Sequence, residues 1–167
     1  MLPGNPLRRN RKPLWDRGLP RIRKLLQILQ QNSNITTKEL AAKVNLSSTP
    51  VFERVRRLEK EGYIKRYVAL LDAEKLNRNL CILCNVKLKQ HNGTLGREFM
   101  AAVNAIPEVT ECYNISGDFD YMLKIYVRDM KHYEAFVLDS LGAIPSVGSL
   151  QSNFVMSVVK QSPEIPI

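Results

Sequence analysis

Three observations place this chain among α+β proteins. Basic charge is concentrated in its first third. Apolar residues in that third recur at helical spacing. Beyond residue 79 the pattern alternates between period-two strands and helical stretches in the order βαββαβ. A helix-turn-helix followed by a ferredoxin-like unit is the reading these observations support. At 167 residues the chain has room for one or two small domains. Residues 1–66 carry 16 basic against 5 acidic side chains, a net +11, whereas residues 67–167 carry 9 against 11, a net −2. A basic module joined to a near-neutral one suits a polyanion partner at one end and a separate task at the other.

Residues 1–18 are rich in Arg, Pro and Asn and read as a flexible basic arm. Order begins near Leu19. Ile22, Leu25, Leu26 and Leu29 share one helical face, Pro20 suits the first turn, and Asn32-Ser33-Asn34 ends the helix. Thr36 and Glu39 have capping-box spacing at the head of a short second helix, which turns Leu40, Ala41 and Val44 inward. Asn45-Leu46-Ser47 is a tight turn. A third helix runs from about Ser47–Pro50 to about Glu61, with Val51, Val55 and Leu58 inward and Gly62 as its C-terminal cap. Tyr63 to Leu71 reads as extended, and residues 67–79 as a linker.

The third helix carries the chemistry for DNA. Ser47, Ser48 and Thr49 offer hydroxyls and free N–H groups at the helix start, followed by Pro50. Arg54 lies one turn on and is expected to reach guanine O6 and N7, with Arg57 on phosphate. Glu53 either accepts from cytosine N4 or pairs with Arg56 or Arg57, and the pairing is favoured. No broad apolar face accompanies the basic helix, so a membrane surface suits it poorly.

In the second segment, Leu80 to Lys89 alternates as a strand. Leu95, Phe99, Ala102, Val103 and Ile106 have helical spacing that Pro107 stops. Val109–Ser116 and Tyr121–Val127 read as strands around a Gly117-Asp118-Phe119-Asp120 turn. Asp129 caps a second helix, and Val147 to Val159 is the last strand, within a domain spanning residues 80–161 and followed by a tail, 162–167. Cys81 and Cys84 are three apart in a strand and so point to opposite faces, which excludes a shared tetrahedral metal. His91 and His132 read as surface residues. No nucleophile–base set, phosphate loop or carboxylate pair can be assembled, so no catalytic residue, cofactor or metal is expected. The rival reading is a small-molecule-binding ferredoxin-like enzyme or sensor with an accessory basic segment. The acidic turn is either β-turn chemistry alone or a receptor for the two charged ends of a zwitterion. No apolar run is long enough to span a bilayer and no secretory leader is apparent, so a cytoplasmic protein is expected.

Three stretches, Leu46–Glu59, Gly62–Asp72 and Ser116–Tyr121, together resemble the Lrp/AsnC (leucine-responsive, feast/famine) family of transcription regulators over residues 22 to 161. The resemblance implies a winged helix-turn-helix that binds double-stranded DNA and a C-terminal amino-acid-sensing domain. It also implies homodimers formed through the C-terminal sheets and assembled further into octamers. Carried over by motif, Ser47, Ser48, Thr49, Pro50, Arg54 and Arg57 are the DNA positions. Ser116, Gly117, Asp118, Asp120 and Tyr121 are the positions for amino-acid effector or interface contacts. The first helix departs from the family: Leu19-Pro20-Arg21-Ile22-Arg23-Lys24-Leu25-Leu26 puts Pro and Arg where acidic residues are usual.

Overall fold

The computed structural model describes residues 20–90 and 92–167; the basic arm, Leu19 and His91 lie outside the described residues. The chain divides into two compact units. One is the helical unit up to Ala69 together with Gln161–Ile167, and the other runs from Leu70 to Lys160.

The helical unit contains α1 (Pro20–Gln31), α2 (Thr37–Lys43) and α3 (Ser48–Lys60). The capping box at α2 is complete. The Thr36 hydroxyl accepts from the Glu39 amide, and the Thr36 amide donates to Glu39 Oε2 at 2.9 Å. Those bonds hold the Glu39 carboxyl below its ordinary range, the side-chain bond from Thr36 contributing most. Asn45, at φ 53°, takes the left-handed conformation that reverses the chain in the short turn to α3, a geometry Asn tolerates better than most residues. Gly62, at φ 76°, lets the Tyr63 amide return to the Leu58 carbonyl and close α3.

Leu25, Leu40, Ala41, Val44 and Val51 form the core of this unit. A second cluster joins Ile22 and Leu26 of α1 to Leu58 of α3, with Ile64 and Ile167 packed against it. The final residues are therefore part of the helical unit. Gln30 clasps Ile165, accepting from its amide at 2.7 Å and donating to its carbonyl at 3.1 Å, and Gln27 donates to the Ile167 carbonyl. Residues 63–72 contain no strand. The Tyr67 hydroxyl ties this segment to α3 by donating to Glu59 at 2.8 Å.

The second unit is the four-stranded antiparallel sheet anticipated from the βαββαβ pattern. Its elements are β1 (Leu80–Leu88), α4 (Gly93–Asn104), β2 (Val109–Asn114), β3 (Tyr121–Val127), α5 (Met130–Phe136) and β4 (Val147–Phe154), with strand order β2-β3-β1-β4. One face carries Ile82, Cys84, Val86 and Leu88 of β1 and Tyr121, Leu123, Ile125 and Val127 of β3, all buried with Phe99, Val103, Tyr133 and Phe136 from the helices. The other face exposes or half-buries Leu83, Asn85, Met122, Lys124 and Tyr126. Cys84 is buried and Cys81 only half-buried, as strand alternation requires.

Strand ends differ from the sequence expectation: β1 closes at Leu88 rather than Lys89, and β2 at Asn114 rather than Ser116. The last strand ends at Phe154 rather than Val159. The Val155 amide makes one more bond, to the Cys81 carbonyl, and β1 begins only at Leu80, so little ladder remains to extend it. The second helix of this unit runs to Gly142 as expected, its last turn, Val137–Leu141, being a π-turn. There a Cβ on Gly142 would sit 2.9 Å from the Val137 carbonyl, so only glycine fits.

Candidate functional site

In α3 the helical repeat of about 100° per residue sets which side chains can leave the protein surface. Val51 and Leu58 are fully buried and define the inward direction. Ser47, the N-cap, uses no side-chain oxygen to cap the helix. Ser47, Ser48 and Thr49 are exposed, and Pro50 is half-buried. The hydroxyls of Ser47, Ser48 and Thr49 thus stand exposed at the helix start.

Arg54 is different. It is three residues from Val51 and four from Leu58, so it lies on the flank of the buried strip. It is half-buried, and its Nη1 has neither solvent nor a hydrogen-bond partner among the described residues. That placement does not suit the expected reach to a guanine edge. Arg57 is exposed but held to Glu61 by an Nε–Oε1 contact of 2.7 Å, which raises its already high pKa. Glu53 does not make the favoured pair. Among the described residues Arg57 takes Glu61, and the Arg56 guanidinium lies over the Phe52 ring, 5.1 Å from its centroid. Phe52 is itself 45% exposed. It is an apolar side chain off the Val51/Val55/Leu58 face.

The turn between β2 and β3 is anchored by Asp120. Its Oδ2 accepts from the Leu88 amide at 2.7 Å and its amide donates to the Val86 carbonyl. Its carbonyl accepts from the Ile115 amide and from Asn114 Nδ2. These bonds join the end of β1 to the rim of β2 and β3. Gly117, at φ 116°, adopts a conformation open to glycine and few others. Tyr121 is buried, with its ring 4.6 Å from that of Phe99 and its hydroxyl beside Gly96. Of the five positions carried over for an effector, Ser116, Gly117 and Asp118 are therefore exposed. Asp120 and Tyr121 instead hold the turn in place.

Elsewhere in the sheet unit, burial pushes the Cys84 thiol up, against hydrogen bonds from Tyr133 and Ser152. On the other face the Tyr113 hydroxyl, and after it Lys124 at 3.0 Å, hold the Glu111 carboxyl below its ordinary range. His132 lies 3.5 Å from Glu108. None of these assembles a nucleophile with a base.

Residues 20–65 match the family model described as "Winged helix-turn-helix DNA-binding". The sheet, over residues 81–165, matches the "Lrp/AsnC ligand binding domain". Fold and family matches together define a DNA-binding transcription regulator with a ligand-binding domain. The leucine-responsive regulatory protein of Haemophilus influenzae is 42% identical over 139 residues, 83% of this chain and 84% of the relative. Its counterpart in Escherichia coli K12 is 39% identical over 145 residues, 87% and 88% of the two chains. Among solved structures, a Neisseria meningitidis transcriptional regulator in complex with L-Met superposes with a TM-score of 0.84 at 34% identity, covering 87% of this chain and 94% of that one. An AsnC family regulator from Agrobacterium tumefaciens gives 0.83 at 36%, covering 87% and 95%. The chain belongs to the Lrp/AsnC family of transcription regulators.

Proposed function

We propose that this regulator binds operator DNA through the start of α3 and that an amino acid, bound at the Ser116–Gly117–Asp118 turn, tunes its binding or assembly. The observation that carries the reading is the contrast within the turn. Asp120 and Tyr121 are committed to holding it, whereas Asp118 and the backbone around Gly117 face outward. A carboxylate beside backbone amides complements the ammonium and carboxylate of a zwitterion. The bound L-Met of the Neisseria relative supports an amino acid as the ligand class.

The working unit in this reading is a homodimer formed through the sheet face that carries Leu83, Met122 and Tyr126, which associates further to an octamer. The division into domains follows the two units, with residues 161–167 belonging to the DNA-binding one. A cytoplasmic location suits such a role. Among the described residues no helix is long and apolar enough to cross a membrane.

Calorimetric titration of the full chain with each of the twenty amino acids tests the effector site. At least one is expected to bind wild type, with binding weakened tenfold or more in Asp118→Asn. If every amino acid that binds does so equally well to the variant, Asp118 is not in the site. Sedimentation velocity tests the assembly, and a purely monomeric chain at micromolar concentration would contradict it.

A further inference from the structure

Opposite the buried Val51–Leu58 strip, the helical repeat brings Thr49, Phe52, Glu53, Arg56 and Lys60 to one outward face, spaced i, i+3/i+4, i+7 and i+11. Thr49, Glu53, Arg56 and Lys60 are polar. Phe52 is not, yet it is 45% exposed on the second turn of the helix. It stands where recognition helices address base edges. Arg56 lies across its ring, 5.1 Å from the centroid, where the ring face attracts the cation. The stack fixes the guanidinium and leaves part of the ring uncovered. In the major groove the one apolar feature of a base pair is the thymine 5-methyl group, and a phenylalanine ring is among the side chains that pack on it.

We propose that Phe52, braced by Arg56, is a specificity-determining residue of this regulator and that it takes a thymine 5-methyl group of the operator, with Arg56 supplying hydrogen-bond donors beside it. The assignment rests on the DNA-binding reading above and moves base recognition from Arg54, whose Nη1 is occluded, to the outward face.

The test replaces thymine with uracil, which removes the methyl group and leaves the hydrogen-bonding edge intact. The full chain is used to enrich a duplex from a random pool, and each thymine of that duplex is then changed to uracil in turn. At one position, or at a symmetry-related pair, wild type is expected to lose about fourfold in affinity per methyl, the equivalent of about 0.8 kcal/mol for a buried carbon. Phe52→Ala should bind the thymine and uracil duplexes equally. Phe52→Leu, a milder change, should retain part of the discrimination. The base change acts on the DNA alone, so the wild-type arm does not depend on how a variant folds. Indifference of wild type to uracil at every position overturns the proposal. So does a uracil penalty that persists unchanged in both variants. Failure of wild type to enrich any duplex would overturn the DNA-binding reading itself.

Discussion

Replacing Asp120 by alanine separates holding the turn from contacting a ligand. The carboxylate accepts a hydrogen bond at 2.7 Å from the amide of Leu88, a residue 7% exposed. A hydrogen bond to a charged group contributes roughly 1.5–3 kcal/mol net, and its removal leaves a shielded N–H that water reaches poorly. A loss of about 2 kcal/mol in the sheet unit is therefore expected. Asparagine keeps an oxygen at the same place without the charge, and charge-assisted bonds are roughly twice as strong as neutral ones, so Asp120→Asn should lose about 1 kcal/mol. The assay is urea denaturation of the full chain. With a slope near 2 kcal/mol/M, the alanine variant's sheet transition should move down by about 1 M at unchanged slope. Asp118→Asn, altered at an exposed position, should move it little. The reasoning fails if Asp120→Ala is as stable as wild type and nevertheless loses amino-acid binding. Asp120 would then be a ligand contact and not the anchor of the turn.

Other substitutions follow from the same geometry. Thr36→Ala removes the capping box of α2 and should cost the helical unit about 1 kcal/mol, read as a lower thermal midpoint of that unit. Gly117→Ala meets a positive φ with no steric neighbour, so its penalty of roughly 1–3 kcal/mol is conformational and should appear in the sheet transition. Phe99→Ala empties the centre of the sheet core and should cost about 3–5 kcal/mol in the same assay. Partial burial, and next the bond to Glu59, push the Tyr67 hydroxyl up to about 12 from an ordinary value of 10. The unfolded chain therefore releases that proton first, and the folded unit loses stability as pH rises from 10 to 12. In Tyr67→Phe that part of the pH slope should vanish from denaturation curves taken across the interval.

The sequence carried the fold far because its signals were local. Thr36 and Glu39 specify a helix start by themselves, Pro107 stops another helix, and the alternation from Leu80 to Leu88 places Ile82, Cys84 and Val86 on one face without reference to anything distant. What it could not carry depended on partners far along the chain. The end of β4 at Phe154 is set by where β1 begins, some 70 residues earlier. The seating of Ile165 and Ile167 on α1 depends on Gln27 and Gln30, with which they share no local pattern. The site divided in the same way. The hydroxyls of Ser47, Ser48 and Thr49 and the exposure of Asp118 were legible as residue types in a turn or at a helix start. The occlusion of Arg54, the Arg57–Glu61 pair and the anchoring role of Asp120 were not. Each depends on which of several nearby groups a flexible or charged side chain reaches.

The central claim is that an amino acid at the 116–118 turn changes how the chain engages DNA. A ligand shifts such an equilibrium only by binding one state better than another. The direct measurement is a gel shift of the full chain on its enriched duplex, with and without each amino acid that binds, in wild type and Asp118→Asn. The account predicts that at least one amino acid moves the half-saturation point or the band pattern for wild type while the variant, still binding DNA, does not respond. An unchanged wild-type titration with every amino acid, or an equal response in the variant, would contradict it.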